Sequence, residues 1–308
     1  IPEDIVEEVS RVYGYFAIPA ELQEPKYVAQ PHTTEALFTY QYSAKVFLKH
    51  AGFHEVMNYS AVSLELLQRF GDSEKSHLYI TNSISEEIKF LRQSLIPSLI
   101  KNVSQNSGFT SDIRMFELAK SYFPTKNDLP DERFMLAVIS TVSLDDIKSA
   151  VCGLLTELNI PYTLAQKSDN RYLLDSASGT IISNTRKIGD FGQVKVIYAS
   201  AVGVSAPVYV AELEFEPIML SARQMPTYRP FSQYAIVSQD VTVKKNIEYA
   251  SMVQAMFKVS KLLESCSVKD MYKDTITLHL QFTDRTKNIS VAEVKLELDK
   301  IKSVLQFE

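Results

Sequence analysis

The chain has 308 residues, more than one ordinary hydrophobic core holds, which predicts at least two domains. Hydrophobic residues make up 45% and charged ones 22%, the proportions of a water-soluble globular fold, and no run approaches the roughly 18 apolar residues of a membrane span. The net charge of −5 is unevenly placed: residues 226–308 hold 12 Lys/Arg against 10 Asp/Glu, so +2, and the first 225 carry −7; this permits a nucleic-acid contact in the C-terminal part without the strong basic patch of a typical binder.

The opening residues, Ile1 to Tyr15, have neither the basic start nor the apolar centre of a signal peptide and do not begin with Met, so a fragment with its N-terminus upstream is expected. Cys152 and Cys266 are far apart and belong to no CxxC pattern. Neither a disulfide framework nor a zinc site is expected, and a reducing, cytoplasmic setting fits.

In chain order, Pro2 followed by an acidic turn predicts a short amphipathic helix that stops at Gly14. Residues 17–34 are rich in Pro and read as a linker. A helix is expected from Glu35 to Ala51 with Gly52 at its end, then a strand over His54–Ser60 and a helix over Leu64–Phe70. Ser85 with Glu86 and Glu87 predicts a further helical stretch, and Pro97 the first turn of another helix.

The stretch Ile113–Phe123 reads as a buried strand carrying Arg114 and Glu117 among Ile113, Met115 and Phe116. Charges placed among core residues are paired or functional, so the two predict either a structural pair or a substrate-grasping arginine. Phe134–Thr141 is a continuous apolar run, as in a strand buried on both faces. Ser143 and Asp146 then resemble a capping box opening a helix striped with Leu144, Ile147, Val151, Leu154, Leu155 and Leu158. Short strands are expected from Tyr162 to about Phe215, punctuated by Gly179, Gly189, Gly192 and Gly203. This order of elements argues for an α+β domain with a mixed sheet rather than a doubly wound one.

From Pro226 the pattern restarts as strand, helix, strand, strand, helix, strand. The elements are Gln239–Lys244, about Ile247–Leu263, Ser267–Tyr272, Thr275–Phe282, a helix opened by a capping box at Ser290 and Glu293, and a last strand near Leu305. This is a ferredoxin-like arrangement. Tyr272 follows Asp270 on a strand with Lys269 and Lys273 on either side, a pattern in which a base can stack on the ring while lysines meet phosphates; the competing assignment is a half-buried strand tyrosine. His50 and His54 stand four apart, but Gly52 between them ends the helix, and His32, His77 and His279 are isolated, so no metal site is expected. P-loop, GxSxG, HExxH and dinucleotide fingerprints are absent.

Four stretches, DIVEEVSRVYGYFAIP, AGFHEVMNYSAVS, the block from Ser85 through Leu91, Arg92, Ser94, Leu95, Pro97 and Asn106 to Arg114, Phe116, Glu117 and Phe123, and PFSQYAIVSQDVTV with VKDMYK, resemble in order the β subunit of bacterial phenylalanyl-tRNA synthetase over essentially the whole chain. The resemblance implies the end of a preceding helical module and a linker (1–31), a degenerate class II aminoacyl-tRNA synthetase-like domain (32–225), and a ferredoxin-like anticodon-binding domain (226–308). It implies a non-catalytic subunit that packs on the catalytic α subunit in an (αβ)2 assembly and contacts tRNA(Phe), with ATP and Mg used by α and no cofactor or metal in this chain. Arg114 and Glu117 would be the remnant of class II motif 2, and Tyr272, Lys269, Lys273 and Asp270 the tRNA contacts. A working class II site needs a second arginine on a G-x-G-x-x-R segment to meet ATP's phosphates, and the matching place, Val208–Leu220, contains neither Gly nor Arg. The chain departs from the family where an R-R-D opens the anticodon domain: here Ser238, Gln239 and Asp240 stand. The alternatives are a self-sufficient RNA-binding protein and an independent amino-acid-activating enzyme.

Overall fold

Pro2 in the first turn, with Glu3 and Asp4 beside the helix's positive end, starts α1 (Pro2–Tyr13), which Gly14 closes at φ +96°. None of its residues is buried. A computed structural model of the chain describes every residue except 23–31, 127–128, 223–227, 229, 245–248 and 306–308. Half of the predicted linker, residues 23–31, therefore lies outside the described residues. It also ends sooner than predicted, because α2 spans His32–His50. The chain divides into two units, Ile1–Pro226 and Thr227–Glu308.

In the first unit the strand expected over His54–Ser60 shrinks to β1 (His54–Glu55). Its parallel pairing reaches only Met115 and Phe116, after which Asn58 turns out of the ladder onto the Glu117 carboxylate. β2 (Ala61–Val62) follows, then α3 (Leu64–Arg69), whose first turn is capped by the Ser63 hydroxyl accepting from the Leu66 N–H at 3.1 Å. The helix expected after Ser85 is a single 3₁₀ turn, Glu86–Ile88. The chain then enters β3 (Phe90–Leu91), which pairs with β2 and buries Phe90. α4 (Ile96–Asn106) carries Pro97 in its first turn as predicted.

β4 (Arg114–Phe123) and β5 (Asp131–Ser140) form a ten-residue antiparallel pair. Leu136 and Val138 are fully buried against one face of the sheet and Ala137 and Ile139 against the other, which is why this run is apolar at every position. Each such Leu, Val or Ile contributes about 1.5–3 kcal/mol of burial. α5 (Leu144–Glu157) starts with the Ser143 hydroxyl accepting from the Asp146 N–H, but only half of the expected capping box forms, because the Asp146 carboxylate turns to Arg114 and Ser140. The remainder is β6 (Thr163–Gln166), β7 (Leu173–Ser183), β8 (Arg186–Val194), α6 (Val196–Ala201), β9 (Tyr209–Glu214) and α7 (Phe215–Ser221).

Gly179, Gly189 and Gly192, expected to punctuate short strands, instead lie inside β7 and β8. A Cβ on Gly189 would sit 2.5 Å from the Glu212 carbonyl oxygen on the next strand, so the glycine permits close pairing rather than a turn. The strand order is β1-β4-β5-β9-β8-β7-β6, parallel only between β1 and β4. α2, α5 and α7 cover the face with Phe116, Leu136 and Leu213; α3, α4 and α6 cover the face with Met115, Ala137 and Val210. The sheet is thus mixed, in an α+β domain.

The second unit is β10 (Val237–Lys244), α8 (Tyr249–Val259), β11 (Leu263–Tyr272), β12 (Thr275–Phe282) and α9 (Val291–Leu305). The strands lie in the order β10-β12-β11, all antiparallel. The predicted first helix is too long: Leu263 already pairs with Phe282 and starts β11. At Leu305 itself the expected last strand gives way to helix, and residues 306–308 lie outside the described residues. Leu305 is the last described residue of α9, and its side chain joins Val294 and Ile301 in the core beneath the sheet. The capping box at Ser290 and Glu293 forms in both directions.

Candidate functional site

Across the large sheet at one level, strand register aligns Thr180, Asp190, Glu212, Ala137 and Glu117 on the face covered by α3, α4 and α6. Three carboxylates in a core-facing row need partners, and each has them. Glu117, 1% exposed, accepts from Arg92 Nη1 at 2.8 Å, from the Asn58 N–H at 3.1 Å and from Asn58 Nδ2 at 2.8 Å. Arg92, equally buried, gives its Nε to the Lys120 carbonyl at 3.2 Å. Asp190 accepts from Ser168 and Thr180 and is paired with Lys187 at 2.8 Å.

Glu212 accepts from the Leu95 N–H at 2.6 Å and the Ser94 hydroxyl at 2.9 Å, the polar groups that open α4. Burial pushes its carboxyl up to about 7. The bonds from Leu95 and Ser94 oppose the shift, Asp190 next to it adds to it, and Arg92 opposes it. The space left beside Arg92, Ser94, Ser98 and Tyr172 is about 20 Å³, room for one water rather than a ligand.

The two residues singled out on β4 do not meet. Three positions apart on a strand, they point to opposite faces. Arg114 lies on the α5 side, where its Nε donates to Asp146 at 2.9 Å while the Ser140 hydroxyl donates to the same carboxylate at 2.6 Å. Arg114 therefore ties β4 to the start of α5, and the partner of Glu117 is Arg92. Sequence reasoning quoted Arg92 only within a motif and passed over Asn58, Glu212 and Asp190. The available signal for Arg92 was a lone arginine after the apolar pair Phe90–Leu91.

In the second unit, alternation places Thr275, Thr277, His279 and Gln281 of β12 on the sheet face away from the core residues Ile276, Leu278, Leu280 and Phe282. Register adds Asp240 and Thr242 from β10, and Ser267, Asp270 and Tyr272 from β11, to this open face. A bulge between Val268 and Asp270 lets Lys269 turn to the same side, where it reaches Asp240 at 2.5 Å; His279 Nδ1 meets the other oxygen of that carboxylate at 2.7 Å. Tyr272 is 67% exposed, and Lys273, at φ +49° in the turn, holds its Nζ 5.3 Å from the ring centroid. The four sequence-selected residues are thus brought to one end of one sheet, but each lysine already has a partner: Asp240 for Lys269, the tyrosine ring for Lys273.

Among the described residues no group of three or more His, Cys, Asp or Glu side chains could hold a metal ion, and no helix is long and apolar enough to cross a membrane.

The first unit has the fold of a class II tRNA synthetase catalytic domain: a pyrrolysyl-tRNA synthetase from Desulfitobacterium hafniense superposes with a TM-score of 0.51 at 15% identity, covering 62% of this chain and 73% of that one. Residues 18–215 match the family model of the phenylalanyl-tRNA synthetase beta chain CLM domain, and the chain belongs to that family. The phenylalanine–tRNA ligase beta subunit of Dehalococcoides mccartyi strain CBDB1 is 26% identical over 99% of the chain and 40% of its own length, and that of Francisella tularensis strain SCHU S4 is 27% identical over 99% and 41%. The chain thus spans about two-fifths of the curated relatives it matches.

Proposed function

We propose that this chain is a non-catalytic portion of a phenylalanine–tRNA ligase β subunit, which packs on the catalytic α subunit in an (αβ)2 assembly and contacts tRNA(Phe) through residues 226–308. One observation carries the non-catalytic assignment. On the sheet face covered by α3, α4 and α6, Arg92, Glu117 and Asn58 satisfy one another, so the buried arginine and carboxylate are spent on each other and neither is left to grasp a ligand in the cavity of about 280 Å³ that Asn58 borders with Ser63, Glu65 and Lys101. Arg114 is turned to the other face and bound to Asp146. ATP and Mg then belong to α, in a cytoplasmic assembly.

Support for a protein partner comes from α2, where Phe38 and Tyr42, one turn apart, are 66% and 71% exposed; Tyr42 borders a groove of about 520 Å³ with Val46, Phe47 and His50. Support for an RNA contact comes from the exposed Tyr272 ring at the edge of a polar open face. Three antiparallel strands in the order β10-β12-β11, with α8 and α9 on one side, match the first three strands and two helices of a ferredoxin-like fold among the described residues. That topology supports the division into a synthetase-like domain, 32–225, and an anticodon-binding domain, 226–308.

The test is co-purification with a bacterial α subunit, followed by tRNA(Phe) binding across a salt series. Tyr42→Glu should abolish the complex, and Tyr272→Ala should weaken tRNA binding by roughly 5- to 100-fold, the equivalent of about 1–3 kcal/mol of lost stacking. An isolated chain that exchanges pyrophosphate into ATP in the presence of phenylalanine overturns the scaffold assignment; a chain that binds RNA and ignores α identifies a self-sufficient RNA-binding protein.

A further inference from the structure

At the centre of the open face of the second unit, a single carboxylate engages two nitrogen-bearing side chains from two neighbouring strands. Asp240 stands on the edge strand β10, Lys269 on β11 and His279 on the intervening β12, and Asp240 reaches both across the sheet at 2.5 and 2.7 Å. Such an arrangement is not needed to hold the sheet: the β10–β12 ladder is regular over eight residue pairs from Val237 to Lys244, and the core beneath is closed by Leu278, Leu280 and Phe282. The pairs lie on the exposed side, with Lys269 at the bulge that turns it there. The two bonds hold the Asp240 carboxyl below the usual carboxylate range, Lys269 first and His279 second. Around them the face offers uncharged hydroxyl and amide groups, Thr242 and Thr277 bonded to each other at 3.0 Å and Ser265 to Gln281 at 2.7 Å, with Asp270 and Tyr272 toward the turn.

A polyanion approaching this face meets a lysine whose charge is already answered. We infer that Asp240 is a specificity-determining residue: an internal counter-ion that withholds Lys269 and His279 from RNA phosphates, so that the face rejects RNA held by charge alone and admits RNA that also stacks on Tyr272. This rests on the assignment of the open face as an RNA contact. A phosphate that reaches one of the free N–H groups of Lys269 meets the Asp240 carboxylate beside it, so the gain from that contact is offset by repulsion or by loss of the pair. Tyr272 carries no such opposition, since Lys273 covers one face of the ring at most.

The experiment uses the full chain and two probes, a 20-nucleotide poly(U) and a tRNA(Phe) transcript, each titrated from 50 to 300 mM salt. In the parent, Lys269→Gln should lower poly(U) affinity by no more than about fivefold, through the bared Asp240 carboxylate, and leave the salt slope unchanged because no phosphate contact is lost. Asp240→Asn should raise poly(U) affinity by about fivefold and steepen the salt slope by roughly 0.7, one further phosphate contact on a single strand. Adding Lys269→Gln to Asp240→Asn should remove that gain, and the ratio of tRNA to poly(U) affinity should fall in Asp240→Asn alone. If Lys269→Gln in the parent costs tenfold and flattens the slope by a full contact, Lys269 is already on phosphate and the counter-ion role is refuted; this arm stands even if Asp240→Asn fails to fold. If Asp240→Asn melts like the parent and binds poly(U) no better, the role is likewise refuted. Tyr272→Ala separates the two levels. A loss of tRNA affinity there with no effect at Asp240 rejects only this inference, and no RNA binding by any variant rejects the RNA-contact assignment itself.

Discussion

Glu117→Ala removes one partner of a pair whose side chains are 3% and 2% exposed, and leaves the Arg92 guanidinium charged in the core with only the Lys120 carbonyl as acceptor. It also deprives Asn58 of its acceptors, but Asn58 is only half-buried and water replaces them at little cost. The penalty is therefore set by the orphaned charge and should be about 3–5 kcal/mol. Against a total stability of roughly 5–15 kcal/mol, that lowers the melting temperature of a unit this size by about 10 °C. Arg92→Met should cost a similar amount by leaving Glu117 without its cation. The double variant Arg92→Met/Glu117→Leu replaces both charges by apolar groups of comparable volume and should recover most of the loss, because desolvating the pair offsets much of its Coulomb attraction. Urea unfolding of the parent, Arg92→Met, Glu117→Leu and the double variant gives the coupling energy. If the double variant loses the sum of the singles, or if Glu117→Ala costs less than about 1 kcal/mol, the pair is not the closed, self-sufficient unit described.

The Glu212 carboxyl, raised to about 7 from an unfolded value near 4.5, contributes stability that is complete below 4.5 and is lost as pH rises through 7; the ceiling is about 3 kcal/mol, reduced because part of the side chain reaches solvent. Glu212→Gln keeps an acceptor for Leu95 and Ser94, so its unfolding curve should match the parent's at about pH 4, below the unfolded value, and lie above it at pH 8; parallel pH profiles would contradict the burial of this charge. Gly189→Ala should cost about 1–3 kcal/mol in unfolding experiments, because the added methyl meets the backbone of the adjacent strand at 2.5 Å, and a neutral result would mean that β8 and β9 separate more easily than their register implies. Asp146→Asn should loosen both Arg114 and Ser140 and destabilise by about 1–2 kcal/mol in thermal melts, while Asp146→Ala should cost more by also leaving Ser140, fully buried, without its acceptor.

What the sequence revealed and what it hid divide along the range of the interactions involved. β4 and β5 were legible because their apolar neighbours specify burial within a few residues, and α4 and α5 because an early proline or a capping serine marks the start. Arg114 and Glu117 were legible as unusual residues but not as to role. Strand periodicity alone sends them to opposite faces, whereas their partners, Asp146 and Arg92, lie 32 and 25 positions away and depend on the fold. The glycines of β7 and β8 read as breaks because the backbone they accommodate belongs to other strands. Leu305 fitted both the stripe Val291, Val294, Leu298 and Ile301 and a last strand near it, and packing against Val294 and Ile301 decides for helix. Glu212 shows the limit most clearly. Locally it is one acid in an alternating strand, and only the row it shares with Asp190 and Glu117, under the first turn of α4, turns it into a carboxyl that titrates near neutrality. The face that carries the buried Arg92–Glu117 pair thus retains one group sensitive to pH.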